Sequence, residues 1–118
     1  MESMKPEIFD IEIGGRTYTI EFNRKAIKEA DEAGIKGIES TINLLEIIFY
    51  VGLKKHKPDV TPNLAKKILE TAIGSGEEEG EYAISDFSPV IDEFTRWYQL
   101  VFGAEGRKKI TSRKDQMD

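Results

Sequence analysis

Residues 8–23 read Ile8-Phe9-Asp10-Ile11-Glu12-Ile13-Gly14-Gly15-Arg16-Thr17-Tyr18-Thr19-Ile20-Glu21-Phe22-Asn23. Apolar and polar side chains alternate on both sides of the two glycines, which is the period of a strand with one buried face. A two-residue hairpin turn that matches strand twist needs positive φ at its central residues, and glycine adopts that at no steric cost. Phe9, Ile11 and Ile13 fall on one face, as do Tyr18, Ile20 and Phe22 across the turn. The stretch therefore predicts an antiparallel β-hairpin over 8–22. Everything after Asn23 carries helical spacing, so the expected fold class is α+β, mainly α: an N-terminal hairpin followed by a bundle of about four helices.

Working outward, Asn23 is a good N-cap for a helix over about 24–33, and Phe22 and Ile27 are spaced as a hydrophobic staple around it. Gly34 is placed to end that helix. Ser40 or Thr41 caps a second helix, expected over 41–57 and stopped by Pro58. Leu44, Leu45, Ile47, Ile48, Phe49, Tyr50, Val51 and Leu53 cover most of its circumference, so it is the central helix of the core. Thr61-Pro62 starts a third helix over 62–73. Glu77, Glu78, Glu79, Gly80 and Glu81 read as a flexible acidic link. Ser88-Pro89 then starts a fourth helix over 89–102, with Val90, Ile91, Phe94, Trp97, Tyr98, Val101 and Phe102 on one arc and Asp92, Glu93, Thr95, Arg96 and Gln99 outside it. Residues 1–7 are expected as a loose lead-in, 8–103 as one globular domain, and 104–118 as a charged disordered tail.

Composition narrows the function classes. The chain of 118 residues contains no cysteine, which excludes disulfides, thiolate metal sites and thiol nucleophiles. Its net charge of -5 disfavours broad nucleic-acid affinity, which depends on a basic surface. The most apolar stretch, Ile42 to Leu53, is shorter than the roughly 20 residues that span a bilayer, and no signal peptide is visible. A soluble cytoplasmic protein without a membrane partner is expected.

No catalytic, cofactor-binding or metal-binding constellation stands out. His56 is the single histidine, and among Lys54, Lys55 and Lys57 it reads as a helix-end cation. The glutamates of 77–81 lack the alternate spacing of a calcium loop. Ser40, Thr41, Ser85 and Ser88 have no nucleophile-elbow surroundings, and capping accounts for Ser40 and Ser88. Arg107, Lys108, Lys109, Arg113 and Lys114 form a basic tail without interleaved aromatics, so nucleic-acid contact is the weaker reading. The stripe Phe94, Trp97, Tyr98 and Phe102 has two readings: core of its own domain, or aromatic anchors for a partner.

The run Ile11 to Arg24, with its glycine–basic–threonine–tyrosine hairpin leading into a short helix, resembles the start of small tail assembly chaperones from long-tailed bacteriophages and prophages of Gram-positive bacteria. Leu44-Leu45-Glu46-Ile47-Ile48-Phe49-Tyr50, followed by the basic corner Lys54-Lys55-His56-Lys57-Pro58, is similar to the apolar helix of that family. The resemblance covers most of residues 8–102. It implies a non-enzymatic protein of the host cytoplasm that binds the tape-measure protein, helps recruit tail-tube subunits and is absent from the mature virion. Phe94, Trp97, Tyr98 and Phe102 are then the candidate partner-binding residues, with self-association a further option. The alternative is a small helical regulatory or nucleic-acid-binding protein that uses the basic C-terminal tail.

Overall fold

The computed structural model describes residues 5–103; the expected charged tail, 104–118, lies outside them. The hairpin forms as the alternation predicts, with β1 spanning Phe9–Ile13 and β2 spanning Arg16–Ile20. Its register sets Phe9 opposite Ile20, Ile11 opposite Tyr18 and Ile13 opposite Arg16. Gly14 and Gly15 both take positive φ, 60° and 81°, as the turn requires. Ile13, Ile20 and Phe22 are buried.

Four helices follow: α1 over Arg24–Glu32, α2 over Thr41–Leu53, α3 over Pro62–Ile73 and α4 over Ser88–Phe102. The caps read from sequence at Asn23, Ser40 and Thr61 are made. Ala26 N–H donates to Asn23 Oδ1 at 2.8 Å, Asn43 N–H to Ser40 Oγ at 3.3 Å, and Leu64 N–H to Thr61 Oγ1 at 3.1 Å. Each satisfies a donor that the helix itself leaves open. Gly34 turns the chain out of α1 in the left-handed region, φ 85°, and a short 3₁₀ turn over Ile35–Gly37 follows.

The central position of α2 also holds, since it touches α1, α3, α4 and β2. Leu45, Ile48, Phe49, Val51 and Leu53 are buried along it, each worth about 1.5–3 kcal/mol of apolar burial. Gly52 lets the hairpin approach closely, because a Cβ there would stand 2.7 Å from Ile20 Cγ2 and 2.9 Å from Phe22 Cε1. At this approach Glu21 N–H donates to Gly52 O at 3.0 Å.

Three expectations are corrected. First, α2 stops at Leu53 rather than near Lys57. His56 N–H and Lys57 N–H both turn back to Leu53 O, at 3.1 and 2.8 Å, so the last residues wind into a tight corner. Second, the segment after α3 is folded rather than a loose acidic link. Gly74–Ser75 (β3) pairs antiparallel with Glu78–Glu79 (β4), Tyr82 N–H donates to Ala72 O at 2.9 Å, and Tyr82 Oη donates to Glu12 O at 2.8 Å. Glu81 accepts from Gly14 N–H at 3.2 Å. A second 3₁₀ turn, Ile84–Phe87, buries Phe87 against Phe49 with ring centroids 5.3 Å apart. Third, Ser88 is the first residue of α4 and makes no side-chain cap. Ala83 N–H donates to Asp86 Oδ2 at 2.8 Å in the turn just before it.

The last helix closes the domain onto its beginning. Phe94 meets Phe22 edge to face at 5.5 Å, and Tyr98 Oη donates to Asp31 Oδ1 at 2.6 Å. Glu7 N–H donates to Glu93 Oε2 at 3.1 Å, and Arg96 donates to Lys5 O at 3.1 Å.

Candidate interaction surface

The aromatic stripe of α4 divides between core and surface. Phe94 and Trp97 are buried in the domain's own core, Tyr98 is half-buried, and Phe102 is 42% exposed. Their rings form a row leading outward. Phe94 lies 5.9 Å from Tyr98, and Tyr98 lies 4.8 Å from Phe102, centroid to centroid. Beside this row, α2 and α4 do not close completely. Leu44 and Ile48 of α2, Ile91, Phe94 and Tyr98 of α4, and Ile35 of the first 3₁₀ turn line an open apolar groove of about 230 Å³. Its polar groups are Lys36, Thr95 and Gln99, so no carboxylate lines it.

Trp97 faces inward for a reason that lies one turn earlier. Its Nε1–H donates to Glu93 Oε2 at 3.0 Å, and Arg96 grips the same carboxylate at 2.8 and 3.1 Å. Glu93, expected on the solvent side, is only 6% exposed. Burial opposes its ionisation, but the hydrogen bonds from Arg96, the Glu7 amide and Trp97 outweigh that and hold the carboxyl below its usual range. The signal was present in the spacing, since Glu93 sits three residues before Arg96 and four before Trp97, on their side of the helix.

The basic corner after α2 is the other conspicuous cluster. Glu21, buried at the exit from β2, accepts from Lys55 Nζ at 2.6 Å on one oxygen and faces His56 Nε2 at 2.8 Å on the other. The hydrogen bonds from Lys55 and then His56 hold its carboxyl below the ordinary value against the opposing effect of burial. Lys54 pairs with Glu29 at 2.8 Å and sits over the Tyr50 ring, and the Glu29 hydrogen bond raises the lysine above its ordinary value. Lys57 faces Asp59 at 3.8 Å. The corner is thus a set of ion pairs, with its charges matched by carboxylates. The His56 ring is held on the Glu21 carboxylate, at 2.8 Å from Nε2.

Among the described residues no group of three or more His, Asp or Glu side chains is placed to hold a metal ion. No helix among them is long and apolar enough to cross a membrane. Comparisons with protein-family models, curated proteins and solved structures return no match.

Proposed function

We propose that this chain is a tail assembly chaperone of a long-tailed phage or prophage, which binds the tape-measure protein and helps recruit tail-tube subunits. The observation that carries the reading is the open apolar groove between α2 and α4, continued by the exposed Phe102 ring. A long helical protein awaiting its tube presents apolar helix faces, and an apolar helix ridge is what such a groove accepts. The acidic balance of the chain keeps a protein with such a surface soluble. Within the candidate stripe, Tyr98 and Phe102 are the accessible anchors, whereas Phe94 forms the groove floor and Trp97 supports it from the core. The matched charges of the Lys54–Lys57 corner give the nucleic-acid alternative no free cationic patch there.

Co-expression with the protein encoded by a neighbouring very long, helix-rich gene tests the reading. Capture is expected at both low and moderate salt, because apolar contacts dominate. Thr95→Arg and Phe102→Ser together are expected to weaken capture at least tenfold while leaving the melting temperature within a few degrees. Absence of capture at either salt, together with salt-sensitive binding to DNA or RNA, would overturn it.

A further inference from the structure

A second groove, beside the molecule's first strand, has the chemistry of a strand-pairing site. The two-residue turn makes Ile13 and Arg16 the pair that exchanges both ladder hydrogen bonds, and such pairs recur at every second residue. The Ile11–Tyr18 and Phe9–Ile20 pairs are therefore bonded across the hairpin, while Asp10 and Glu12 point their N–H and C=O away from β2. Two hydrogen bonds agree with this assignment. Glu12 O accepts from Tyr82 Oη on the outer margin of β1, and Glu21 N–H donates to Gly52 O on the outer margin of β2. Tyr82 thus ends the free margin of β1 at Glu12 and leaves the backbone of Asp10 open.

That open margin is one wall of a groove of about 270 Å³ whose opposite wall is the second 3₁₀ turn and the start of α4. Phe9, Ile11, Tyr82, Phe87 and Val90 supply apolar lining, and Ile8 stands at the mouth, 52% exposed. The charged groups lining it are Asp10 and Asp86, with no lysine or arginine between them. Neither carboxylate is neutralised by a cation: Asp10 accepts from the Thr19 hydroxyl at 2.7 Å, and Asp86 from Ala83 N–H at 2.8 Å. Past Tyr82, the Glu81 carboxylate accepts from Gly14 N–H at 3.2 Å.

We propose that this groove takes an extended peptide of a partner protein, bearing lysine or arginine between apolar residues, which pairs with Asp10 as a third strand. A strand satisfies the Asp10 N–H and C=O, which a docked helix leaves unpaired. Alternation does the rest. One face of the added strand lies against Phe9, Ile11 and Phe87, and the other brings its cations beside Asp10 and Asp86. The site stands apart from the α2–α4 groove, and its test does not depend on that surface.

The test is titration of the full chain, labelled with ¹⁵N, with a capped peptide of alternating lysine and valine and with its glutamate–valine counterpart. Amide shifts are expected for the lysine peptide at Ile8–Glu12 and at 82–90, with no response to the glutamate peptide. Asp10→Pro deletes the outward N–H without removing a ladder bond and is expected to abolish binding. Asp10→Asn removes only the charge and is expected to weaken it severalfold. Asp86→Lys reads the opposite wall, with at least a tenfold loss for the lysine peptide, and keeps the proposal testable should Asp10→Pro fail to fold. Equal binding of both peptides, shifts confined to other residues, or unchanged affinity in Asp86→Lys would each overturn it. Concentration-dependent shifts at the same amides without peptide would assign the groove to a second copy of the chain and overturn the partner assignment.

Discussion

Gly52 is where a single missing methyl group sets the geometry of the whole hairpin. In the interior of a helix, replacing glycine by alanine ordinarily gains about 1 kcal/mol. Here the added Cβ would meet Ile20 Cγ2 at 2.7 Å and Phe22 Cε1 at 2.9 Å, both on fully buried side chains. Neither side chain has room to yield, and the hydrogen bond from Glu21 N–H to Gly52 O fixes the backbone at the same point. Overpacking of this kind costs about 1–3 kcal/mol and outweighs the propensity gain. Gly52→Ala is therefore expected to lower the urea midpoint. Gly37→Ala, where nothing lies within 4 Å of the added Cβ, is the matched control and is expected to be neutral. A raised midpoint for Gly52→Ala would show that the hairpin is free to shift. This glycine was not legible in the sequence: it sits in a run of apolar residues, and the side chains that demand it lie about thirty positions earlier.

At the scale of elements, the caps and the corner make opposite cases. Asn23, Ser40 and Thr61 act within three residues of themselves, so local chemistry announced them. Glu21 acts across the molecule on Lys55 and His56, and simple alternation along β2 placed it in solvent. Its pairing joins the hairpin exit to the turn after α2 and has a definite pH signature. The carboxyl is held below its unfolded value, chiefly by Lys55 and next by His56. Its contribution is therefore complete above the ordinary carboxylate pKa and is lost as the pH falls through the folded value. Wild type is expected to exceed Glu21→Gln in urea midpoint near neutrality, with the gap narrowing as the pH falls below the ordinary carboxylate range. The other paired carboxylates, Glu93 among them, are common to both proteins and cancel in the comparison. A gap that stays constant across that range would mean that the ion pairs contribute nothing to holding the corner.

Over the whole molecule, burial ranks the aromatic residues. Phe49 is fully enclosed in the central helix and meets Phe87, whereas Phe102 is 42% exposed at the end of α4. Phe49→Ala is expected to cost about 3–5 kcal/mol and Phe102→Ala less than about 1 kcal/mol. Coincident urea midpoints would contradict that ranking. The hairpin and the four helices were legible because their periodicities are local. The candidate surface was legible only in part, since the α4 arc identifies apolar residues but not which of them α2 leaves uncovered. The glutamates of 77–81 misled for a related reason. They sit in a segment held by Gly14, Ala72 and Glu12, and a count of charges carries no trace of such distant partners. The closure of the domain by α4 has a consequence for its synthesis. Glu7, Phe22 and Asp31 find their partners on Glu93, Phe94 and Tyr98, at the far end of the described chain. A ribosome delivers residues at about 5–20 per second, N-terminus first. For several seconds the surface that α4 will cover on the nascent hairpin and first helices thus waits bare, and the domain completes itself only when its last helix leaves the exit tunnel.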